Sequence, residues 1–119
     1  MIEIAYLKEK DKIKSMPQEV GDVILGILEI LSSEYGEDRN YEDDGGYVVV
    51  IEKAEEFQEL KEKTYIHCDD VIPEFVDKIE CANGEIFTNS LILCNNDYCI
   101  SLIMPMELTT ENLKNYIID

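Results

Sequence analysis

Phe75-Val76-Asp77-Lys78-Ile79-Glu80-Cys81-Ala82 runs into Asn83-Gly84, and further on Leu91-Ile92-Leu93-Cys94 runs through Asn95-Asn96-Asp97 into Tyr98-Cys99-Ile100-Ser101-Leu102-Ile103-Met104. Apolar and β-branched runs cut by turn residues predict a three-strand meander over residues 75–104. Asn-Gly accepts the positive φ values of a type I′ turn, so a two-residue loop is expected, with Ala82 opposite Glu85. That register puts Phe75, Ile79 and Cys81 on the face of Ile86, Thr88 and Ile92, and Lys78 and Glu80 on the face of Phe87 and Asn89. A corner at Asn96-Asp97 aligns Leu91 and Leu93 with Ile100 and Leu102, leaving Ile92, Cys94, Cys99 and Ile103 on the other side. Both faces of the last two strands are then apolar and need cover.

Outward from the meander, Tyr47-Val48-Val49-Val50-Ile51 has the composition of a central strand buried on two sides. Ile2 to Leu7 alternates, with Ile2, Ile4 and Tyr6 on one face, as an edge strand does. Lys8 to Lys12 reads as a solvated connector. A long helix is expected from Ser15, spaced as a capping box with Gln18 and with Pro17 in the first turn. Its stripe is Val20, Val23, Ile24, Ile27, Leu28, Leu31 and Tyr35, and Gly36 is its C-terminal cap. Gly21 and Gly26 fall off the centre of the stripe and are expected at its surface. Lys53 to Lys63 predicts a short helix resting on Ala54, Phe57 and Leu60, and Thr109 or Thr110 can cap a last helix through Leu113, Tyr116 and Ile117.

The fold class expected is α+β, one domain over residues 1–119. Its mixed, mainly antiparallel sheet comprises the meander 75–104 and strands near 2–7 and 47–51, covered by a long helix 16–35 and shorter helices 53–63 and 110–118. At 119 residues with 45% apolar content, the chain can bury a core without metal or disulfide support. No apolar run approaches the roughly 20 residues of a membrane-spanning helix. The first residues do not read as a signal peptide, and a cytoplasmic location is expected.

The outlying property is charge: 10 basic against 27 acidic residues, a formal net charge of −17. Such a field repels nucleic acid and anionic membranes, so neither is expected as a direct partner, while basic protein surfaces are attracted. Solubility alone is the competing explanation. The cysteines Cys68, Cys81, Cys94 and Cys99 match no redox or zinc spacing and read as buried thiols. Asp38, Asn40 and Glu42 have the start of a calcium loop, but Asp43 stands where glycine is required and Val49 where glutamate is. No metal or cofactor is expected.

These features point to a non-enzymatic acidic module that binds, or inhibits, a partner with a basic protein surface. Immunity proteins against nuclease toxins and mobile-element antagonists share this character, an analogy of charge and size. The expected binding residues are Glu34, Tyr35, Glu37, Asp38, Tyr41, Glu42, Asp43, Asp44 and Tyr47, with Glu55, Glu56 and Glu59 of the short helix. Gathering of those carboxylates on one face is the premise. The alternatives are a small cytoplasmic enzyme using His67, Cys68 and Asp70, without catalytic motif spacing, and an oligomeric structural protein whose homodimer covers the second sheet face.

Overall fold

The Val48 and Val50 side chains pack to one side of the sheet and those of Tyr47 and Val49 to the other, all buried, which makes 47–50 the strand around which the molecule is layered. The structure is a computed structural model that describes residues 1–41, 45–53, 55–56, 59–60, 74–95 and 98–108, with 74–75, 92–95 and 98–99 described by backbone alone. In chain order the elements are β1 (Ile2–Ile4), a 3-10 helix (Leu7–Ile13), α1 (Gln18–Tyr35), β2 (Tyr47–Val50), β3 (Glu74–Glu80), β4 (Ile86–Asn95) and β5 (Tyr98–Pro105). They form a five-stranded mixed sheet in the order β1-β2-β5-β4-β3. β2 runs parallel to β5, and every other pairing is antiparallel. This is the α+β architecture that the alternation of apolar runs predicts.

On one side Val20, Ile24 and Leu28 of α1, none with measurable exposure, pack with Ile4, Val48, Val50, Ile79, Phe87 and Ile103. Burying side chains of this size stabilises by about 1.5–3 kcal/mol each, so the predicted helical stripe anchors α1 to the sheet. The opposite cluster gathers Ala5, Tyr47, Val49, Ile51, Leu60, Ile100, Leu102 and Met104. Among the described residues, β2 and the end of β5 are thus covered on both faces by other parts of the same chain. Residues 55–56 and 59–60 are helical, as the expected short helix requires. Met106–Leu108 are helical, and the expected last helix at 110–118, with its cap at Thr109 or Thr110, lies outside the described residues.

Four local readings are corrected. Ser15 makes no cap: α1 begins after Pro17, with no side-chain cap hydrogen bond, although the Gly36 N–H does close its C-terminus onto the Ser32 carbonyl at 3.0 Å. The supposed connector is the 3-10 helix Leu7–Ile13, entered through Glu9, whose Oε1 accepts from the backbone N–H groups of Ala5 and Tyr6 at 3.0 and 3.2 Å. Its last residue, Ile13, is buried and lies 3.6 Å from where a Gly21 Cβ would stand; Gly21 is itself buried, so the glycine admits the 3-10 helix instead of lying on the surface. β1 ends at Ile4, and Tyr6 leaves the face of Ile2 and Ile4 to pack on the other cluster.

Both hairpin registers also differ from the expectation. The Cys81 N–H donates to the Glu85 carbonyl at 2.9 Å and the Gly84 N–H to the Cys81 carbonyl at 3.0 Å, so Ala82, Asn83 and Gly84 form a three-residue loop with Gly84 at φ 92°. Three-residue loops with glycine in the left-handed region are the next most favoured hairpin. The extra residue slides the register by one: Ile79 lies opposite Phe87 and Lys78 opposite Thr88. Ile79, Cys81 and Phe87 therefore share the α1 side. In the second hairpin Asn95 does pair with Tyr98, but an irregularity between Leu93 and Asn95 shifts the ladder, so Leu91 faces Ser101 and Ile92 faces Ile100. A bulge of one residue exchanges the faces of everything beyond it. Another shift, between Phe75 and Asp77, leaves Val76 54% exposed.

Candidate functional site

The segment after α1 is drawn inward by Arg39. Only 6% exposed, its guanidinium donates to the carbonyls of Gly36 (3.2 Å), Gly46 (3.3 Å) and Ala5, and it lies 5.1 Å from the Tyr6 ring. The Tyr6 hydroxyl returns a bond to the Arg39 carbonyl at 2.5 Å. Tyr41 stands edge-on to both Tyr6 and Tyr47, at 6.0 and 5.0 Å between ring centres.

This geometry revises the expected binding residues. Tyr47 is 3% exposed and Tyr41 packs against the same cluster, so Tyr47 is a core residue and not a surface anchor. Tyr35 is 39% exposed, with its ring over Gly45. Glu37 is half-buried: its Oε1 accepts from the Lys8 N–H at 3.3 Å, and its buried Oε2 has no hydrogen-bond partner among the described residues. Glu56 is engaged by the Met1 ammonium at 2.9 Å and by the Glu52 N–H at 3.2 Å. Glu34, Asp38, Glu55 and Glu59 are exposed. Glu42, Asp43 and Asp44, with His67, Cys68 and Asp70, lie outside the described residues. Exposed carboxylates also occur elsewhere, at Asp22 and Glu29 of α1 and at Asp77 and Glu80 of β3, so among the described residues the acids are not confined to the Glu34–Asp44 segment.

A different site emerges where β2 and β5, running parallel, end beside the start of β4. Phe87 and Pro105 are cross-strand neighbours, and a hollow lies to each side of them. One, of about 510 Å³, is walled by Met16, Pro17, Val50, Glu52, Asn83 and Glu85. The other, of about 570 Å³, is walled by Gly84, Glu85, Ile86, Met106 and Glu107. Glu85, Phe87 and Pro105 belong to both, so the hollows adjoin. Apolar walls and floor come from α1's approach, β2, β4 and β5. The charged residues of the lining are Glu52, Glu85 and Glu107, all exposed and all acidic, with no lysine or arginine among them. Among the described residues these three carboxylates enter no ion pair.

None of them was singled out in the sequence. Asn83-Gly84 is legible as a turn, but its meeting with Glu52 and Pro105 depends on the parallel β2–β5 pairing. Nearby, Cys81 is a buried thiol whose pKa is pushed up by burial and by the negative charges of Glu19 and Glu85, the setting of an unreactive cysteine. Among the described residues no group of three histidine, cysteine or acidic side chains could hold a metal ion, and no helix is long and apolar enough to cross a membrane.

Comparison with protein-family models, with curated proteins and with solved structures gives no match to this chain. Function therefore has to be argued from the site itself.

Proposed function

We propose that this protein is a non-enzymatic acidic module that binds, and through binding inhibits, a partner with a basic protein surface. The observation that carries this reading is the pair of adjoining, largely apolar hollows lined by Glu52, Glu85 and Glu107, which enter no ion pair among the described residues, on a chain of net charge −17. Unpaired surface carboxylates around an apolar floor supply long-range attraction for a cationic partner and desolvated contact once it arrives. Glu34, Asp38, Glu55 and Glu59, all exposed, extend the negative field beyond the hollows, and Tyr35 is exposed beside Glu34.

The test is capture of a partner by the tagged chain, followed by reconstitution from the two purified proteins at about 50 mM and about 300 mM salt. A stoichiometric complex with a basic protein, associating more slowly at the higher salt, is the expected result. A complex whose association is indifferent to salt, or failure of any captured protein to reconstitute, overturns the reading.

A further inference from the structure

We infer that Asn83 is a site of self-modification: the backbone nitrogen of Gly84 closes on the Asn83 carboxamide, ammonia is lost, and the resulting succinimide opens with water to aspartate or isoaspartate at position 83. The reaction needs no partner and is confined to the tip of the β3–β4 hairpin.

No other asparagine in the sequence precedes a glycine. The neighbour matters because its backbone nitrogen is the attacking atom, and a side chain on that residue would stand beside the nitrogen and hinder it. At Gly84 nothing among the described residues lies within 4 Å of where a Cβ would be. Both Asn83 and Gly84 are exposed, so water reaches the reacting atoms.

The loop presents the electrophile. Asn83 Oδ1 accepts from the Glu85 N–H at 2.9 Å, which lays the carboxamide along the Gly84 peptide. As the nitrogen adds to Cγ, negative charge gathers on Oδ1, where that N–H already points; a fixed donor so placed stabilises the tetrahedral adduct. The same loop guards the nucleophile. The Gly84 N–H donates to the Cys81 carbonyl at 3.0 Å, and its proton must be given up before the nitrogen attacks. The tip is held in turn by the Ala82 N–H on the Glu19 carboxylate at 2.6 Å. Reaction therefore proceeds from a locally opened tip, and the Glu19–Ala82 bond sets how often it opens.

The first step forms the bond from Gly84 N to Asn83 Cγ and breaks that from Cγ to Nδ2, and the proton from the Gly84 nitrogen leaves with the ammonia. Water then cleaves one of the two carbonyl–nitrogen bonds of the ring. Cleavage at Cγ restores the ordinary backbone with an aspartate, whereas cleavage at the main-chain carbonyl leaves the backbone running through the side chain, one carbon longer. Either product adds a carboxylate to the wall of the hollow that holds Glu52 and Glu85. The longer one also stretches the loop whose closure, the Cys81 N–H on the Glu85 carbonyl at 2.9 Å, fixes the register of β3 on β4.

The experiment holds the full-length chain at about 37 °C and about pH 8, with samples taken over weeks, digested at mildly acidic pH and mapped by mass spectrometry. The expected result is a gain of about 1 Da first in the peptide containing Asn83, in aspartyl and isoaspartyl forms, and none at that position in Asn83→Gln. Glu19→Ala should convert about threefold faster or more, because the tip opens more often. Gly45→Ala, which strikes Tyr35 at the far end of α1, should convert at the rate of the parent. Asn83 left intact in the folded chain, or earlier conversion at another asparagine, overturns the site. Equal rates in Glu19→Ala and the parent, or equal acceleration by Gly45→Ala, overturn its control by the Glu19–Ala82 bond.

Discussion

The Glu19 carboxylate, in the first turn of α1, accepts a hydrogen bond from the Ala82 backbone N–H at 2.6 Å, tying the helix to the tip of the β3–β4 hairpin 63 residues further along the chain. This bond sits beside Cys81 and behind the hairpin that carries Glu85, so it holds one wall of the paired hollows in place. Its own backbone N–H and that of Ala82 hold the Glu19 carboxyl below its ordinary value of 4.5.

A carboxylate whose pKa is lowered on folding contributes stability that is complete above its ordinary pKa and is lost as pH falls through the lowered one. Glu19→Ala is therefore expected to be less stable than the parent at about pH 7, with the gap closing below about pH 4. Urea unfolding of both proteins across that range checks it. A gap of constant size at all pH values would show that the charge of Glu19 contributes nothing.

Arg39 satisfies three carbonyls from three parts of the chain, Ala5, Gly36 and Gly46. Arg39→Met keeps the aliphatic stem but strands those acceptors, at an expected cost of about 3 kcal/mol. Arg39→Lys should recover only part of this, since a single ammonium lacks the planar fork that reaches several acceptors. Denaturant midpoints of the three proteins decide it; a methionine variant within about 0.5 kcal/mol of the parent would refute the latch.

At Gly45 a Cβ would stand 2.6 Å from Cδ2 of Tyr35, on a backbone with φ 78°. Gly45→Ala is expected to cost about 2 kcal/mol from collision and backbone strain together. Adding Tyr35→Ala removes the collision, so the double variant should show a smaller effect of Gly45→Ala, about 1 kcal/mol. Perfect additivity of the two changes would contradict this packing.

The two helix-interior glycines separate packing from propensity. Around Gly26 nothing among the described residues lies within 4 Å of an added Cβ, so Gly26→Ala should stabilise by about 0.5–1 kcal/mol. At Gly21 the added atom meets Ile13 at 3.6 Å, an ordinary contact, so alanine is tolerated while Gly21→Leu displaces the 3-10 helix and costs about 2 kcal/mol. Amide exchange at Leu7–Ile13 should quicken in the leucine variant alone.

Much of the framework could be read from local pattern. The stripe Val20, Ile24 and Leu28 repeats at helical period, and Tyr47 to Val50 is too continuously apolar to be anything but a doubly buried strand. Errors arose where one residue changes everything downstream. Asn83-Gly84 is compatible with two- and three-residue loops, and only the docking of Ile79, Cys81 and Phe87 beneath α1 selects the longer. The irregularity between Leu93 and Asn95 leaves no mark in composition, because the unbroken apolar run Leu91-Ile92-Leu93-Cys94 suits either register. Tyr47 looked like an anchor beside an acidic loop because its burial comes from Tyr41, Ala5 and Met104, which are distant or oriented by Arg39.

Composition and periodicity were enough to establish an acidic α+β chain with a long amphipathic helix, a twice-buried strand and a C-terminal meander, since each follows from the spacing of apolar residues over a few turns. The parallel contact of β2 with β5, the burial of Arg39 and the convergence of Glu52, Glu85 and Glu107 around Phe87 and Pro105 came from the packed molecule alone. Local pattern specifies which faces must be hidden; which segments hide them, and which carboxylates are thereby brought to one end of the sheet, depends on contacts between residues far apart in the chain.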